Sequence, residues 1–365
     1  SLHDALPISY VIIADQKASV DRWLEYTELV EQDPDLVLAQ LKEGKWDDLR
    51  VPMFASNVHS NENAAVNGIL EFGHMLLENE TVDVKTLTGF TDAGKALLAE
   101  EMARNNAKTP DLIKDYASYL GYIRGENGYN HWTTSGSSKG LYSGQLDLEK
   151  YYNVESETVN IKELLTDVFV VIVPEQNVEG YEHMTRTTGQ GYDPNRDEAN
   201  QTLFEDANAM ALVNKFNPMV FTEIHGRVDA VLIEPCTPPH EPNLEYDLFM
   251  NYALQGARAF GDVASMNSIY NSSSEYAKEN GATEDNKPWY DIALESGFDP
   301  ATGRFEYPSD DMSTNYTPTY ALFHGTIGYT VECGENNEAS VTMGKYGLIG
   351  HTAYVAENKD DLYLN

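Results

Sequence analysis

The sequence contains few cysteines and few basic residues. Only Cys236 and Cys333 occur among 365 residues, which is too few for a fold built on disulfides, although one bridge between them in an oxidising compartment remains open. Lysine and arginine total 24 against 59 aspartates and glutamates, so the formal charge is −35. A surface of this sign repels nucleic acid and anionic membranes, and neither is an expected partner.

The sequence also lacks an apolar run long enough to span a membrane. Hydrophobic residues make up 41% of the chain, which suits a soluble globular core without membrane insertion. The first nine residues, SLHDALPIS, have no initiating methionine and no signal-peptide pattern. They resemble a translated sequencing adaptor, so we expect the native N-terminus to be missing. The localisation stays open, with a secreted or periplasmic one favoured, and the oligomeric state is not indicated.

Short apolar runs of strand type alternate with helical patterns along the chain. The predicted strands are Tyr10–Asp15, Val51–Val58, Val168–Val173, Met219–Ile224 and Ile327–Val331. Helical spacing of apolar residues predicts one helix over Ala18–Val30 and another from Glu62 onward. This order predicts an α/β fold with a mixed, largely parallel central sheet and helices on both faces.

One domain is expected over residues 10–365, with an insertion at about 80–166 on its surface. The insertion contains a helical pattern, DAGKALLAEEMARNN, and then a polar, aromatic stretch, RGENGYNHWTTSGSSKGLYSG. An unstructured loop of such length would be unusual inside a compact fold. A second loop-rich region is expected over Asn267–Asp291.

Ionisable residues follow the predicted strands at the point where each strand ends. His59 and Glu62 follow the second strand, His225 follows the fourth and Glu332 follows the fifth. Because α/β sheets bind ligands outside the carboxyl ends of their strands, these side chains are expected to converge at one edge. Strand alternation predicts that Cys333 faces away from Glu332.

The converging residues are the types that a catalytic zinc site uses. Such a site takes three nitrogen or oxygen ligands and leaves one position open, and His59, Glu62 and His225 supply such a set. Glu332 can then take a proton from the metal-bound water, and Arg186 can stabilise the oxyanion that forms. Each signal is weak alone, since a single histidine after a strand is more often structural. Together they favour one Zn²⁺ per chain.

The motifs resemble those of the zinc metallocarboxypeptidases of the carboxypeptidase A type, which is itself a standard example of a two-histidine, one-glutamate zinc site. HSNE matches the motif of the first two ligands, EIHG that of the third, and GYTVE the strand that ends in the catalytic glutamate. NVEGY, TR and GYDPNRD match the segment that carries the substrate-binding residues. The resemblance implies hydrolysis of a C-terminal peptide bond by a metal-activated water.

The same resemblance implies roles for further residues. Arg186 matches the oxyanion arginine, and Asn195 with Arg196 matches the clamp for the terminal carboxylate of the substrate. Tyr316 is our choice for the tyrosine that caps the substrate, with Tyr320 and Tyr307 as rivals. Pro194 departs from the family pattern, which has an aliphatic residue there, but removes no chemical group.

Two other functions stay open at this point. The first is an amidase of the same fold that acts on peptidoglycan stem peptides or acylated amino acids, because the clamp suits any substrate with a carboxylate beside the scissile bond. The second is a non-catalytic module that binds a glycan or a protein through the aromatic insertion. The side-chain preference is not indicated, because it depends on loops between His225 and Glu332.

Overall fold

The computed structural model describes residues 9–96, 148–226, 229–234, 249–268, 298–299, 304–305, 314–333 and 336–364. The strands are β1 (Val11–Ile13), β2 (Val51–Ser56), β3 (Thr81–Phe90), β4 (Tyr152–Asn160), β5 (Val168–Val173), β6 (Val220–His225), β7 (Asp229–Ile233), β8 (Phe298–Asp299), β9 (Arg304–Phe305) and β10 (Ile327–Cys333). The helices are α1 (Lys17–Gln32), α2 (Pro34–Lys42), α3 (Asn63–Glu78), α4 (Leu148–Tyr151), α5 (Ile161–Leu164), α6 (Val178–His183), α7 (Phe204–Phe216), α8 (Leu254–Asn267), α9 (Thr317–Leu322), α10 (Glu338–Glu357) and α11 (Lys359–Leu364).

Six strands form the central sheet in the order β1-β5-β2-β6-β10-β7. The four inner strands are parallel to one another, and both edge strands run antiparallel to their neighbours. The predicted α/β class with a mixed, largely parallel sheet is therefore confirmed. The strand bounds differ slightly, since β1 is shorter than expected and β10 continues through Glu332 to Cys333. The antiparallel edge strand β7 was not predicted.

Helices cover both faces of the sheet, as the strand pattern predicts. On β2, Met53 accepts a hydrogen bond from Thr352 of α10, whereas the ring of the next residue, Phe54, lies 5.8 Å from that of Phe216 at the end of α7. On the same side as α7, Trp23 of α1 donates its indole N–H to the carbonyl of Phe216 at 2.6 Å. Burying an aromatic side chain of this size stabilises the fold by roughly 1.5–3 kcal/mol.

The expected surface insertion requires correction at both of its ends. β3 and β4 pair as antiparallel strands, and Asp83 accepts a hydrogen bond from Thr158 across them. Val82, Val84 and Val159 are buried in the main core. The alternating pattern TVDVKTL is typical of a half-buried strand, so these segments belong to the core. Apart from the helical residues 92–96, the predicted helix and the aromatic stretch lie outside the described residues.

The two cysteines can be compared with expectation only in part. Cys333 is buried, and its Sγ lies 3.8 Å from where a Cβ on Gly344 of α10 would stand. The neighbouring Glu332 instead lines a cavity at the carboxyl edge of the sheet, as expected from strand alternation. Cys236 lies outside the described residues, and the bridge stays a prediction. Most of the expected loop over Asn267–Asp291 also lies outside them.

Within the described part of the chain, no helix combines the length and the apolar character needed to cross a membrane.

Candidate active site

His59 and Glu62 lie in the short connection between β2 and α3. The Glu62 amide donates to the His59 carbonyl at 2.9 Å, and Glu62 stands immediately before the first residue of α3. Asn57 ties this connection to β6 by donating to the Ile224 carbonyl at 2.7 Å. Both His59 and Glu62 are buried. The strand and the helix thus hold the two side chains in fixed positions at the carboxyl edge of the sheet.

His225 reaches the same edge as the last residue of β6. In the parallel pairing of β6 with β10, its register partner is Glu332. Adjacent strands lie about 4.8 Å apart, so the residue predicted to act as base lies beside the residue predicted to be the third ligand.

The side chains of His59, Glu62 and His225 converge on one point. The two Nδ1 atoms of the imidazoles lie 3.0 Å apart, and the Glu62 carboxylate lies 3.5 Å from the first and 3.3 Å from the second. One donor atom from each of the three residues falls within 4.8 Å of the others. This group fits a metal ion, and among the described residues it is the one cluster of at least three such side chains with this geometry.

The far nitrogen of each imidazole contacts a carboxylate. Nε2 of His59 lies 3.0 Å from Asp193, and Nε2 of His225 lies 2.8 Å from Glu223. These contacts favour the tautomer in which each Nε2 carries the hydrogen and each Nδ1 has a lone pair, as a metal-bound histidine requires. The two Nδ1 atoms lie 3.0 Å apart, so their lone pairs repel each other unless a cation or a proton lies between them. The donor set therefore fits a metal ion.

The electrostatics of the cluster agree with this arrangement. Burial would raise the pKa of Glu62, but the contacts of its carboxylate with the His225 and His59 imidazoles outweigh burial and hold the pKa well below its usual range. Burial would lower the pKa of His225, but hydrogen bonds to Glu223 and Glu62 raise it well above 6.5. A raised pKa at His225 means that protons and a metal ion compete for the same ring nitrogen.

Arg186 lies beside this cluster, where Asp193 orients it. Its Nε donates to the Asp193 carboxylate at 2.8 Å, and its Nη1 lies 3.5 Å from Glu62. Burial alone would raise the pKa of Asp193, but His59 and Arg186 lower it well below the usual range. One ionised carboxylate therefore holds both a predicted ligand and the predicted oxyanion residue.

Asn195 and Arg196 lie in a short 3₁₀ turn, Pro194–Arg196, capped by Asp193. The Asn195 side-chain oxygen accepts the Thr317 amide at 3.0 Å, which leaves its NH₂ group as the donor that can serve the cavity. The guanidinium carbon of Arg196 lies 4.2 Å above the centre of the Tyr316 ring, within cation–π range.

All eight residues named from the sequence line one cavity of about 210 Å³. They are His59, Glu62, Arg186, Asn195, Arg196, His225, Tyr316 and Glu332. Gly226, Leu232, Glu234 and Thr330 complete the described lining. Of the rivals for the capping role, Tyr320 is buried with its hydroxyl accepting from Gln201 and Asn214, and Tyr307 lies outside the described residues.

Several residues of the site had no role in the sequence interpretation. Asp193 was part of a quoted motif, and its place two residues before Asn195 could have marked it as a capping side chain. Glu223 lies two residues before His225, so strand alternation alone predicts that both face the same side. Gln176, which donates to Glu223 at 2.9 Å, carries no signal in the sequence, because this contact joins the loop after β5 to a residue of β6.

The structure of this chain is similar to several solved structures. No family model and no curated protein matches the sequence. A metallo-carboxypeptidase from Burkholderia cenocepacia is 13% identical with a TM-score of 0.41, over 86% of this chain and 58% of that one. A metallo-carboxypeptidase from Pseudomonas aeruginosa, in complex with (2-guanidinoethylmercapto)succinic acid, is 11% identical with a TM-score of 0.38, over the same shares of 86% and 58%.

This chain therefore spans less than two thirds of the length of the structures that it resembles. At such identities and TM-scores the likenesses carry no argument about this chain, and its activity has to be argued from the site itself.

Proposed function

We propose that this chain is a zinc-dependent carboxypeptidase that hydrolyses the C-terminal peptide bond of peptides. One observation carries the proposal. Three buried metal-ligand side chains converge within 4.8 Å of one another in a cavity that also holds two arginines and, outside the ligand set, the carboxylates of Glu332 and Glu234. Ligands, an anion-binding group and a base are the parts that metal-assisted amide hydrolysis requires.

Zinc is the metal that this donor set suits best. Two imidazole nitrogens and one carboxylate oxygen, with a further position open to the cavity, are typical of catalytic zinc sites, whereas calcium and magnesium take oxygen ligands. When bound, the ion would polarise the scissile carbonyl and lower the pKa of a water molecule. Asp193 and Glu223 would keep His59 and His225 in the tautomer that binds it.

Glu332 is the general base in this proposal. It lines the cavity next to His225 in the strand register without belonging to the ligand cluster. Its carboxylate takes a proton from the attacking water and passes a proton to the leaving amine. A half-buried position at the cavity wall gives it access to both.

Arg186 supplies positive charge where the carbonyl oxygen becomes negative. Asp193 binds its Nε and so fixes the plane of the guanidinium before a substrate arrives. A donor that is already oriented stabilises the transition state without reorganisation.

Asn195 and Arg196 bind the terminal carboxylate of the substrate. The Asn195 amide and the Arg196 guanidinium line the same cavity, and Tyr316 packs on the guanidinium at 4.2 Å and limits its motion. Charge-assisted hydrogen bonds from an arginine are the strong means of holding a carboxylate. This pair favours exopeptidase over endopeptidase action, because an internal peptide has no carboxylate at that place.

A panel of substrates tests the proposal against the amidase alternative. Zinc-loaded protein is given an N-blocked dipeptide with a free C-terminus, the same dipeptide amidated, a peptidoglycan stem peptide and an N-acetylated amino acid. The proposal requires release of the terminal amino acid from the first substrate at the highest kcat/KM, and little from its amidated form. Faster cleavage of the stem peptide or the acetylated amino acid would favour the amidase.

The same panel addresses the binding-only alternative. Glu332→Gln protein serves as the inactive control, and chelated wild-type protein serves as the metal-free control. Binding of one zinc without cleavage of any of the four substrates would favour a non-catalytic module.

A further inference from the structure

Glu198 is a buried glutamate that the proposed chemistry does not use, although it lies next to the carboxylate clamp formed by Asn195 and Arg196. It is fully buried, and it does not belong to the described lining of the cavity. A carboxyl group is rarely buried to this degree unless it is hydrogen-bonded or paired with a cation. The hydrogen bonds of Glu198 therefore indicate what it does for the site.

These hydrogen bonds connect Glu198 to Asn195 through one side chain. Oε1 of Glu198 lies 2.5 Å from the hydroxyl oxygen of Thr317, the first residue of α9. The same hydroxyl oxygen lies 3.5 Å from Oδ1 of Asn195, which also accepts the Thr317 amide at 3.0 Å. All three residues are buried. Glu198, Thr317 and Asn195 thus form a polar relay that ends at the clamp.

The Thr317 hydroxyl has one hydrogen but two oxygen atoms within reach. If Glu198 is ionised, the hydrogen goes to Oε1, and the contact with Oδ1 of Asn195 contains no hydrogen. If Oε1 carries a proton, Glu198 donates to the hydroxyl oxygen, and the hydroxyl hydrogen can reach Asn195. The protonation state of Glu198 therefore decides how many hydrogen bonds hold the Asn195 amide.

The surroundings of Glu198 favour the protonated form. Burial, followed by the neighbouring carboxyl group of Asp206 on α7, raises the pKa of Glu198 well above its ordinary value, and Glu223 on β6 adds to this shift. The Asp197 amide donates to Oε2 at 3.2 Å, which leaves Oε1, the oxygen that faces Thr317, to carry the proton. Glu198 is therefore the donor at the start of the relay.

The start of α9 also contacts the second residue of the clamp. Tyr316, which precedes Thr317, packs on the Arg196 guanidinium at 4.2 Å. Nη1 of Arg196 donates to the Asn195 carbonyl at 2.5 Å. A relay that fixes Thr317 thus supports both members of the clamp.

We infer that Glu198 is a positioning residue for the carboxylate clamp, which acts through the Thr317 hydroxyl to hold the NH₂ group of Asn195 toward the cavity. The inference rests on the proposed function, since the clamp has a role only where a terminal carboxylate binds. An asparagine amide whose oxygen accepts two hydrogen bonds loses both when it turns over. The turned amide would present its oxygen to the substrate carboxylate, and the two oxygens would repel each other.

The test compares wild type with Glu198→Gln, Glu198→Ala, Thr317→Val and the control Glu205→Gln. Glutamine has an NH₂ group where the protonated glutamate has its hydrogen, so Glu198→Gln keeps the relay. Thr317→Val keeps the shape of the side chain and removes only the hydroxyl, so the test does not depend on the folding of Glu198→Ala. Glu205 is a buried glutamate of α7 that is absent from the described cavity lining.

Zinc-loaded proteins are assayed on an N-blocked dipeptide with a free C-terminus and on its amidated form. We expect KM for the free dipeptide to rise about 3–10-fold in Thr317→Val and Glu198→Ala, as the loss of a hydrogen bond between neutral groups implies, with kcat unchanged. The amidated dipeptide should show no such rise, because it brings no carboxylate to the clamp. Glu198→Gln and Glu205→Gln should keep the wild-type KM.

Peptide hydrolysis with an unchanged KM in both Thr317→Val and Glu198→Ala would overturn the role of Glu198 and leave the carboxypeptidase in place. So would a KM in Glu198→Gln as high as that in Glu198→Ala, because a donor at this position would then not matter. Equal rises in KM on the free and the amidated dipeptide would likewise overturn it, since they would indicate a general disturbance of the cavity.

Calorimetry with free phenylalanine and with phenylalaninamide separates this inference from the proposed function, because it needs no hydrolysis. We expect phenylalanine to bind more weakly to Thr317→Val and Glu198→Ala than to wild type and Glu198→Gln, and phenylalaninamide to bind all four proteins alike. That binding pattern without cleavage of any peptide would support the role of Glu198 and overturn the proposed activity.

Discussion

The Glu223 carboxylate lies 2.8 Å from Nε2 of His225, two residues further along the same strand, and Gln176 holds its other oxygen at 2.9 Å. Gln176 in turn donates to Ser56 on β2 at 2.8 Å. A fully buried chain of polar groups therefore links the third proposed ligand to the neighbouring strand. Such partners orient the imidazole and raise its basicity toward a metal.

Replacing Glu223 tests this link. We expect Glu223→Ala to weaken zinc binding by about 10–100-fold, because His225 loses the partner that fixes its tautomer. Glu223→Gln keeps an oxygen that accepts from Nε2 and should lose less. Chelator competition measures the affinity, and Glu205→Ala controls for the loss of a buried glutamate elsewhere. Unchanged zinc affinity in Glu223→Ala would mean that the contact does not support the site.

Replacing Glu332 tests the proposed base. Glu332→Gln keeps the shape of the side chain but removes the proton acceptor, so turnover should fall by at least about 10²–10⁴-fold. Zinc should still bind at one equivalent, because Glu332 lies outside the ligand cluster. Steady-state kinetics together with metal analysis check both statements. Near-normal activity at neutral pH in this variant would refute the mechanism even with the zinc site intact.

The matched variant is His59→Ala, in which we expect metal and activity to be lost together. His59 is one of the three proposed ligands, and a site with two protein ligands holds zinc weakly. Metal analysis after dialysis and the peptidase assay are run on the same sample. Full zinc retention in His59→Ala would exclude His59 as a ligand.

Arg196→Ala should weaken substrate binding and leave the metal in place. A charge-assisted hydrogen bond contributes about 1.5–3 kcal/mol, so KM for a peptide with a free terminal carboxylate should rise by about 10–10²-fold. The small activity on the amidated peptide should change little, because that substrate has no carboxylate to lose. Equal losses on both peptides would indicate a general disturbance of the cavity.

Asp206 should make the stability of the protein depend on pH. This residue of α7 is buried, and burial, followed by the nearby charge of Asp197, raises its pKa to about 9. In the unfolded chain an aspartate titrates near 3.9, so the folded state binds the proton more tightly. The stabilisation is complete below about pH 4 and is lost as the pH rises toward 9.

Asp206→Asn removes this titration. We expect the variant to unfold at a higher temperature than wild type at pH 8, and the difference to shrink as the pH falls toward 4. Thermal unfolding at pH 4, 6 and 8 provides the measurement. A difference between the two proteins that does not change with pH would show that Asp206 does not titrate in this range.

The sequence predicted the sheet and the residues at its carboxyl edge because both depend on local patterns. The run VFVVIV is apolar at every position, which is typical of a strand with helices covering both of its faces. This run forms β5. His59, Glu62, His225 and Glu332 each follow or end such a run, and parallel strands bring those ends together. The convergence in one cavity follows from this geometry.

The remaining features depend on contacts between distant segments. Glu234 and Thr319 come together only when β7 pairs with β10 and α9 packs against them, and nothing local in the sequence indicates either event. The core strands β3 and β4 were missed for a different reason. They lie on either side of a long intervening stretch, so the alternation of Val82 and Val84 lacked a visible partner.

The most direct test of the central claim is a zinc titration of metal-free protein with the peptidase assay as the readout. The substrate is an N-blocked peptide that ends in arginine with a free carboxylate, and mass spectrometry follows release of that single residue. The account predicts that activity rises linearly and levels off at one zinc per chain, and that the amidated peptide stays essentially uncut. Loss of the terminal residue at full rate without metal, or no loss with one zinc bound, would contradict it.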